Sequence, residues 1–166
     1  MPRPNVSLVA LRRVLQEQLV TGRALVALAE ASEQALIEGD ALKLEGLASQ
    51  QRTLLASQME QETARQQVTR ELSSALGQER VTTMSALLPA LPAVDAAPLE
   101  LLRRRILDTE RRMELVNQRN ARLLENQLDF VKFSLHALTS AALRPARYGV
   151  NLAQLAAPSF YIDSKA

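Results

Sequence analysis

Apolar residues recur along this chain at steps of three and four, and strand-like alternation is absent, so the pattern predicts amphipathic helices. Leu8, Leu11, Leu15, Leu19, Gly22, Val26, Ala29 and Leu36 line one face of a first helix over about residues 5–38. Gly39 tolerates left-handed backbone and Asp40 offers an N-cap oxygen, which predicts a turn there and a second helix over about 41–76. That helix carries Leu44, Leu47, Leu54, Leu55, Met59, Val68, Leu72 and Leu76, but residues 58–67 are mostly Gln, Glu, Thr and Arg. Its middle is expected to be helical yet poorly buried. Gly77 closes it, and a short apolar helix over about 80–88 follows.

The third long helix shows the most regular spacing. Leu99, Leu102, Ile106, Thr109, Met113, Val116, Asn120, Leu123, Gln127, Phe130, Ser134 and Ala137 alternate steps of three and four, a coiled-coil-like seam. Pro98 suits the first position of such a helix, which is expected over about 98–143. At 1.5 Å per residue it would run roughly 65 Å, too long for a globule of this mass. The prolines at 2, 4, 89, 92, 98, 145 and 158 leave residues 5–88 and 99–144 free for helix. The expected fold is therefore all-α: an elongated antiparallel helical bundle or coiled coil of three long helices with a short helical connector. Residues 1–143 would form this domain and residues 144–166, from Arg144-Pro145 onward, a flexible tail.

Composition removes most alternatives. In 166 residues there are five aromatics and no cysteine, so a β-domain built on bulky anchors or disulfides is not expected. The absence of cysteine excludes thiolate metal sites and cysteine nucleophiles, and a single histidine, His136, excludes His-pair metal sites and a Ser/His/Asp triad. His136 reads as a packing or boundary residue. Carboxylates such as Glu110 and Glu114, or Glu60 and Glu62, could supply acids, yet Glu100/Arg104 and Asp108/Arg112 sit at the spacing of an ion-paired solvated surface. No phosphate-binding Gly-rich loop is present. The chain is not expected to be an enzyme or to carry a cofactor.

Charge points away from nucleic acid. The net charge is +2, with 17 arginines among the 20 basic residues. Arg103, Arg104, Arg105, Arg111, Arg112, Arg119 and Arg122 cluster on the third helix without interleaved aromatics, which reads as a solvated face or a contact for an acidic protein. Arg12 and Arg13 interrupt the apolar start, so no signal peptide is read, and no run reaches the roughly 18 apolar residues of a membrane span. A cytoplasmic protein without membrane insertion is expected.

Two features invite a partner. Asn120 and Gln127 interrupt the seam at core-type positions, where an amide either fixes register or marks a seam incompletely covered and open to another helix. All five aromatics, Phe130, Phe133, Tyr148, Phe160 and Tyr161, lie after residue 129, a concentration at one end that fits docking.

The run from Leu115 to Leu128, above all Asn117-x-x-Asn120-x-x-Leu123-Leu124, resembles the signature of the FlgN family of flagellar export chaperones. Downstream, Tyr148-Gly149-Val150-Asn151 stands where that family has a Tyr-Gly pair, and Gln51-Arg52-x-Leu54-Leu55 is similar to a weaker motif of its second helix. The matches span about residues 36–151. One departure is Leu152, near the place of the family's second glycine, and the ending with Phe160 and Tyr161 maps onto nothing in the family.

The resemblance implies a cytosolic chaperone of flagellar type III export. It would bind the C-terminal amphipathic helices of hook–filament junction proteins, prevent their premature assembly, and deliver them to the export gate and ATPase apparatus. Combined with the interrupted seam, it places client binding at Val116, Asn117, Asn120, Leu123, Leu124, Gln127, Leu128 and Val131 and the gate contact at Tyr148 and Gly149. The protein would be a monomer or homodimer. The alternative is a structural coiled-coil adaptor, or a homodimerisation module, without a chaperone role.

Overall fold

The computed structural model describes residues 4–78 and 83–142. Its elements are α1 (Pro4–Glu38), α2 (Ala41–Ala75), α3 (Met84–Leu87), a 3₁₀ turn (Leu88–Ala90) and α4 (Ala93–Ala142), and no strand occurs among the described residues. The chain is all-α there. Two compact units divide within α4, Met1–Gln127 and Leu128–Ala166.

In the first unit, two glycine-capped turns set the chain path. Gly39 adopts φ 69°, its N–H bonds to the Leu36 carbonyl and the Asp40 N–H to that of Ala35, which together satisfy the orphan carbonyls at the end of α1. Asp40 then turns around chemically: its carboxylate accepts the Lys43 N–H at 2.9 Å and caps α2. Gly77 repeats the device with φ 70°, bonding Ser74, while Gln78 N–H bonds the Ser73 carbonyl.

α1 and α2 run antiparallel, joined by side-chain bonds at three levels: Gln51 to Ser32 (3.4 Å), Gln61 to Thr21 (3.0 Å) and Gln18 to Glu62 (3.1 Å). The polar middle of α2 is thus helical, and no residue of 58–67 is fully buried. The apolar core lies toward the other end. Leu11, Leu15 and Leu19 of α1, Leu72 of α2, Met84 and Leu87 of α3, Leu91, and Leu99 and Leu102 of α4 form one buried cluster. Burying each such leucine contributes about 1.5–3 kcal/mol. Of the apolar α2 residues, only Leu72 is fully buried, and Leu55 and Met59 remain exposed.

α4 starts earlier than Pro98. The Pro92 carbonyl accepts the N–H groups of Asp95 and Ala96, which opens the helix at Ala93 and leaves Pro98 inside. The ring removes one bond, to the carbonyl of Val94, whose residue is well exposed so that solvent can satisfy it. Of the connector expected over 80–88, residues 80–82 lie outside the described ones, and the rest is one helical turn followed by 3₁₀ geometry, where Pro89 cannot donate to continue an α-helix. Where α4 crosses Gly22, the Thr109 methyl lies 3.3 Å from the site a Cβ would occupy, so glycine permits the close approach.

In the second unit, the described residues are the end of α4, through Ala142. Ser134 and Thr139 turn their hydroxyls back to the carbonyls of Phe130 and Leu135. Among residues 128–140, Ser134 alone is less than exposed.

Candidate helix-docking site

The face of α4 that meets α1 is fixed by two amides spaced seven residues apart. Asn120 Nδ2 donates to the Ala29 carbonyl at 2.9 Å, and Gln127 Nε2 donates to that of Leu36. Ala29 and Leu36 are also seven apart, so α1 and α4 run parallel in matched register here. The Leu36 carbonyl belongs to the last turn of α1, where intrahelical donors are missing, and Gln127 supplies a second one. Asn120 Oδ1 is buried without a hydrogen-bond partner, a cost of about 1–3 kcal/mol that a purely apolar residue would avoid. Specified register is the return for that cost.

Ion pairs flank this face. Arg112 Nη2 meets Glu30 at 2.6 Å, and Arg119 Nε meets Glu33 at 2.7 Å. The Arg119 guanidinium lowers the Glu33 pKa by hydrogen bonding first and charge second. Arg112 therefore reaches across to α1 rather than down its own helix to Asp108, which pairs with Arg111 at 3.4 Å. Arg103 and Arg104 share Glu100. The arginine cluster is in large part neutralised locally; Arg105 and Arg122 have no ion-pair partner among the described residues.

The sequence-predicted client residues separate into two sets. Val116 is 1 % exposed within the first unit, Leu123 is half-buried, and Asn120 and Gln127 donate to α1. Asn117, Leu124, Leu128 and Val131 have exposed side chains. Tyr148 and Gly149 lie outside the described residues, as do Phe160 and Tyr161.

Leu128 and Val131 belong to a longer stripe. Leu128, Val131, Leu135 and Leu138 follow at three- and four-residue steps, each 50–68 % exposed, with Phe130 and Phe133 exposed beside them. A helix apolar over most of its surface is normally a buried one, and such a stripe in water marks an interaction surface. Sequence reasoning passed over Leu135 and Leu138 because a second seam, Phe130, Ser134 and Ala137, runs through the same residues with the same period. The signal was present: Leu124 leads into the stripe at the right step.

Within the first unit a furrow opens between α2 and α4, floored by α1. It comprises two contiguous hollows of about 940 and 570 Å³ that share Gly22, Gln58, Thr109 and Glu110. Leu15, Leu19 and Leu25 form its floor, Leu55 and Met59 line the α2 wall, and Ile106, Leu107 and Met113 line the α4 wall. On the α2 rim Glu62 accepts two bonds from Arg65 and one each from Gln66 and Gln18. Those donors, Arg65 foremost, depress its pKa to about 2.

No group of three or more His, Cys, Asp or Glu residues among the described ones could hold a metal. No described helix is long and apolar enough to cross a membrane. His136 is exposed, its Nδ1 3.4 Å from the Ser140 hydroxyl.

No curated protein matches the chain, and neither does any solved structure. The family model of the FlgN protein matches residues 1–154, and the chain belongs to the FlgN family.

Proposed function

We propose that this chain is a cytoplasmic chaperone of flagellar type III export that binds the C-terminal amphipathic helices of hook–filament junction proteins. It holds them unassembled and hands them to the export gate and ATPase apparatus, with Tyr148 and Gly149 as the gate contact. Membership of the FlgN family, a family of flagellar chaperones rather than enzymes, supports the general role. The observation that carries the binding site is the exposed stripe of Leu128, Val131, Leu135 and Leu138. Leu124 and Asn117 belong to the same proposal. Asn120 and Gln127 act one step back, by holding α4 in register on α1, and Val116 and Leu123 by packing beneath.

Structurally, α1, α2 and residues 93–127 of α4 are taken as an antiparallel bundle of three long helices. A terminal helix that polymerises in the finished filament has an apolar face with no partner before export, and covering it suppresses premature assembly. A stripe with a 3–4 repeat accepts such a helix by knobs-into-holes packing. Neither a covalent step nor a nucleotide is needed.

The test is co-purification of a tagged hook–filament junction protein with the chain carrying Leu128→Asp and Leu135→Asp. Both positions are exposed, so helicity by circular dichroism stays at the wild-type level while client recovery is lost. Client recovery at the wild-type level would reject this surface. Light scattering that shows a stable homodimer, disrupted by the same two substitutions and indifferent to client, would favour the structural adaptor instead.

A further inference from the structure

The furrow between α2 and α4 is separate from the stripe on residues 128–138, and the chaperone role as stated makes no use of it. Along α4 it runs from Arg103 to Ala121, about 27 Å at 1.5 Å per residue. A trough of that length, apolar at its base and open above, matches a helix of about 18 residues rather than a compact metabolite. Met59 is 74 % exposed on its α2 wall, a large apolar side chain of adaptable shape with no neighbour to cover it.

Charge selects among occupants. On the α2 rim, Glu62 is neutralised by Arg65 at 2.6 Å, and near the connector Arg103 is matched by Glu100 at 2.8 Å. Glu110 and Glu114 on the α4 rim make no ion pair among the described residues: Arg65 across the furrow feels the charge of Glu110 but is bonded to Glu62, and only the Gln118 amide, 3.5 Å away, approaches Glu114. They stand one helical turn apart, a like-charged pair that a facing cation relieves. The end of α4 from a second copy would bring Glu125 and Asp129 along the flank of its stripe, with Lys132 already 3.7 Å from Asp129. Negative would then meet negative. We propose that the furrow is a second docking site, for an amphipathic helix of a partner protein whose flank toward α4 carries two basic residues one turn apart. This site stands independently of the client stripe.

A defined probe tests it: a synthetic helical peptide of about 20 residues with leucines at 3–4 spacing and lysines at two successive turns of one flank, beside a companion with glutamates there. Titrated against the full chain by fluorescence anisotropy, the lysine peptide binds roughly tenfold more tightly than the companion. Glu110→Lys with Glu114→Lys, both at exposed positions, reverses the preference. Met59→Asp removes the preference for the lysine peptide, and Leu135→Asp, which weakens only binding at the stripe, leaves that preference at roughly tenfold. Equal affinity for the two peptides, a preference unchanged by charge reversal, or loss of binding in Leu135→Asp alone would each overturn the proposal. So would occupancy from within. If deleting residues 143–166 strengthens peptide binding tenfold, the chain's own ending fills the furrow. If Met59→Asp dissolves a dimer seen by light scattering, a second copy does.

Discussion

Single residues in this protein do two jobs where a helix meets its neighbour. Glu62 links α2 to α1 through Gln18 and locks Arg65 on the furrow rim, and those donors, Arg65 foremost, hold its pKa down to about 2. A folded-state pKa below the unfolded value, about 4.3, stabilises the fold above that pH, and the benefit falls away as pH drops toward the folded pKa. Denaturant midpoints measured from pH 5 down to pH 2 should therefore decline more steeply for the wild type than for Glu62→Gln. Identical slopes would mean the carboxylate is already as well solvated in the unfolded chain. Asn120 and Gln127 are a comparable pair: both were visible in the sequence as polar seam positions. Their partners were not, because a backbone carbonyl leaves no mark on residue type.

At the scale of elements, the turn between α1 and α2 was legible and the start of α4 was not. Gly39 followed by Asp40 leaves few conformations open, since one residue takes positive φ and the next caps the helix. Asp40→Ala should cost about 1 kcal/mol in equilibrium unfolding, with full recovery in Asp40→Ser. No loss would show that the turn is held by its backbone bonds alone. Pro98 misled because proline is tolerated wherever the lost bond falls to an exposed carbonyl, not at the first helical position alone. The α1 stripe read correctly, with Leu11, Leu15, Leu19, Val26, Ala29 and Leu36 all buried. On α2 the same kind of stripe leaves Leu55 and Met59 in solvent. Periodicity reports that a face is apolar; whether this chain or another one covers it is a tertiary question. α4 carries two interleaved seams, and within the first unit Asn120 and Gln127 of the one read from the sequence bond to α1.

For the molecule as a whole, family membership and exposed apolar surface point the same way. The FlgN family match covers residues 1–154, so it includes the whole described chain and Tyr148 beyond it. Composition had excluded thiolate and triad chemistry on residue counts alone. What composition could not locate was the surface for a partner, since Leu128 and Leu15 are the same residue type at the same spacing, one exposed and the other in the core. Burial is a property of the assembled helices.

The most direct measurement is isothermal titration calorimetry of the full chain with a synthetic peptide of the C-terminal helix of a hook–filament junction protein. The predicted result is a saturable one-to-one isotherm with Kd between about 1 µM and 1 nM, and no heat when Leu128 and Leu135 are both aspartate. An absence of binding by the wild-type chain, or an unchanged isotherm in the doubly substituted one, would contradict the assignment of residues 128–138 as the client surface.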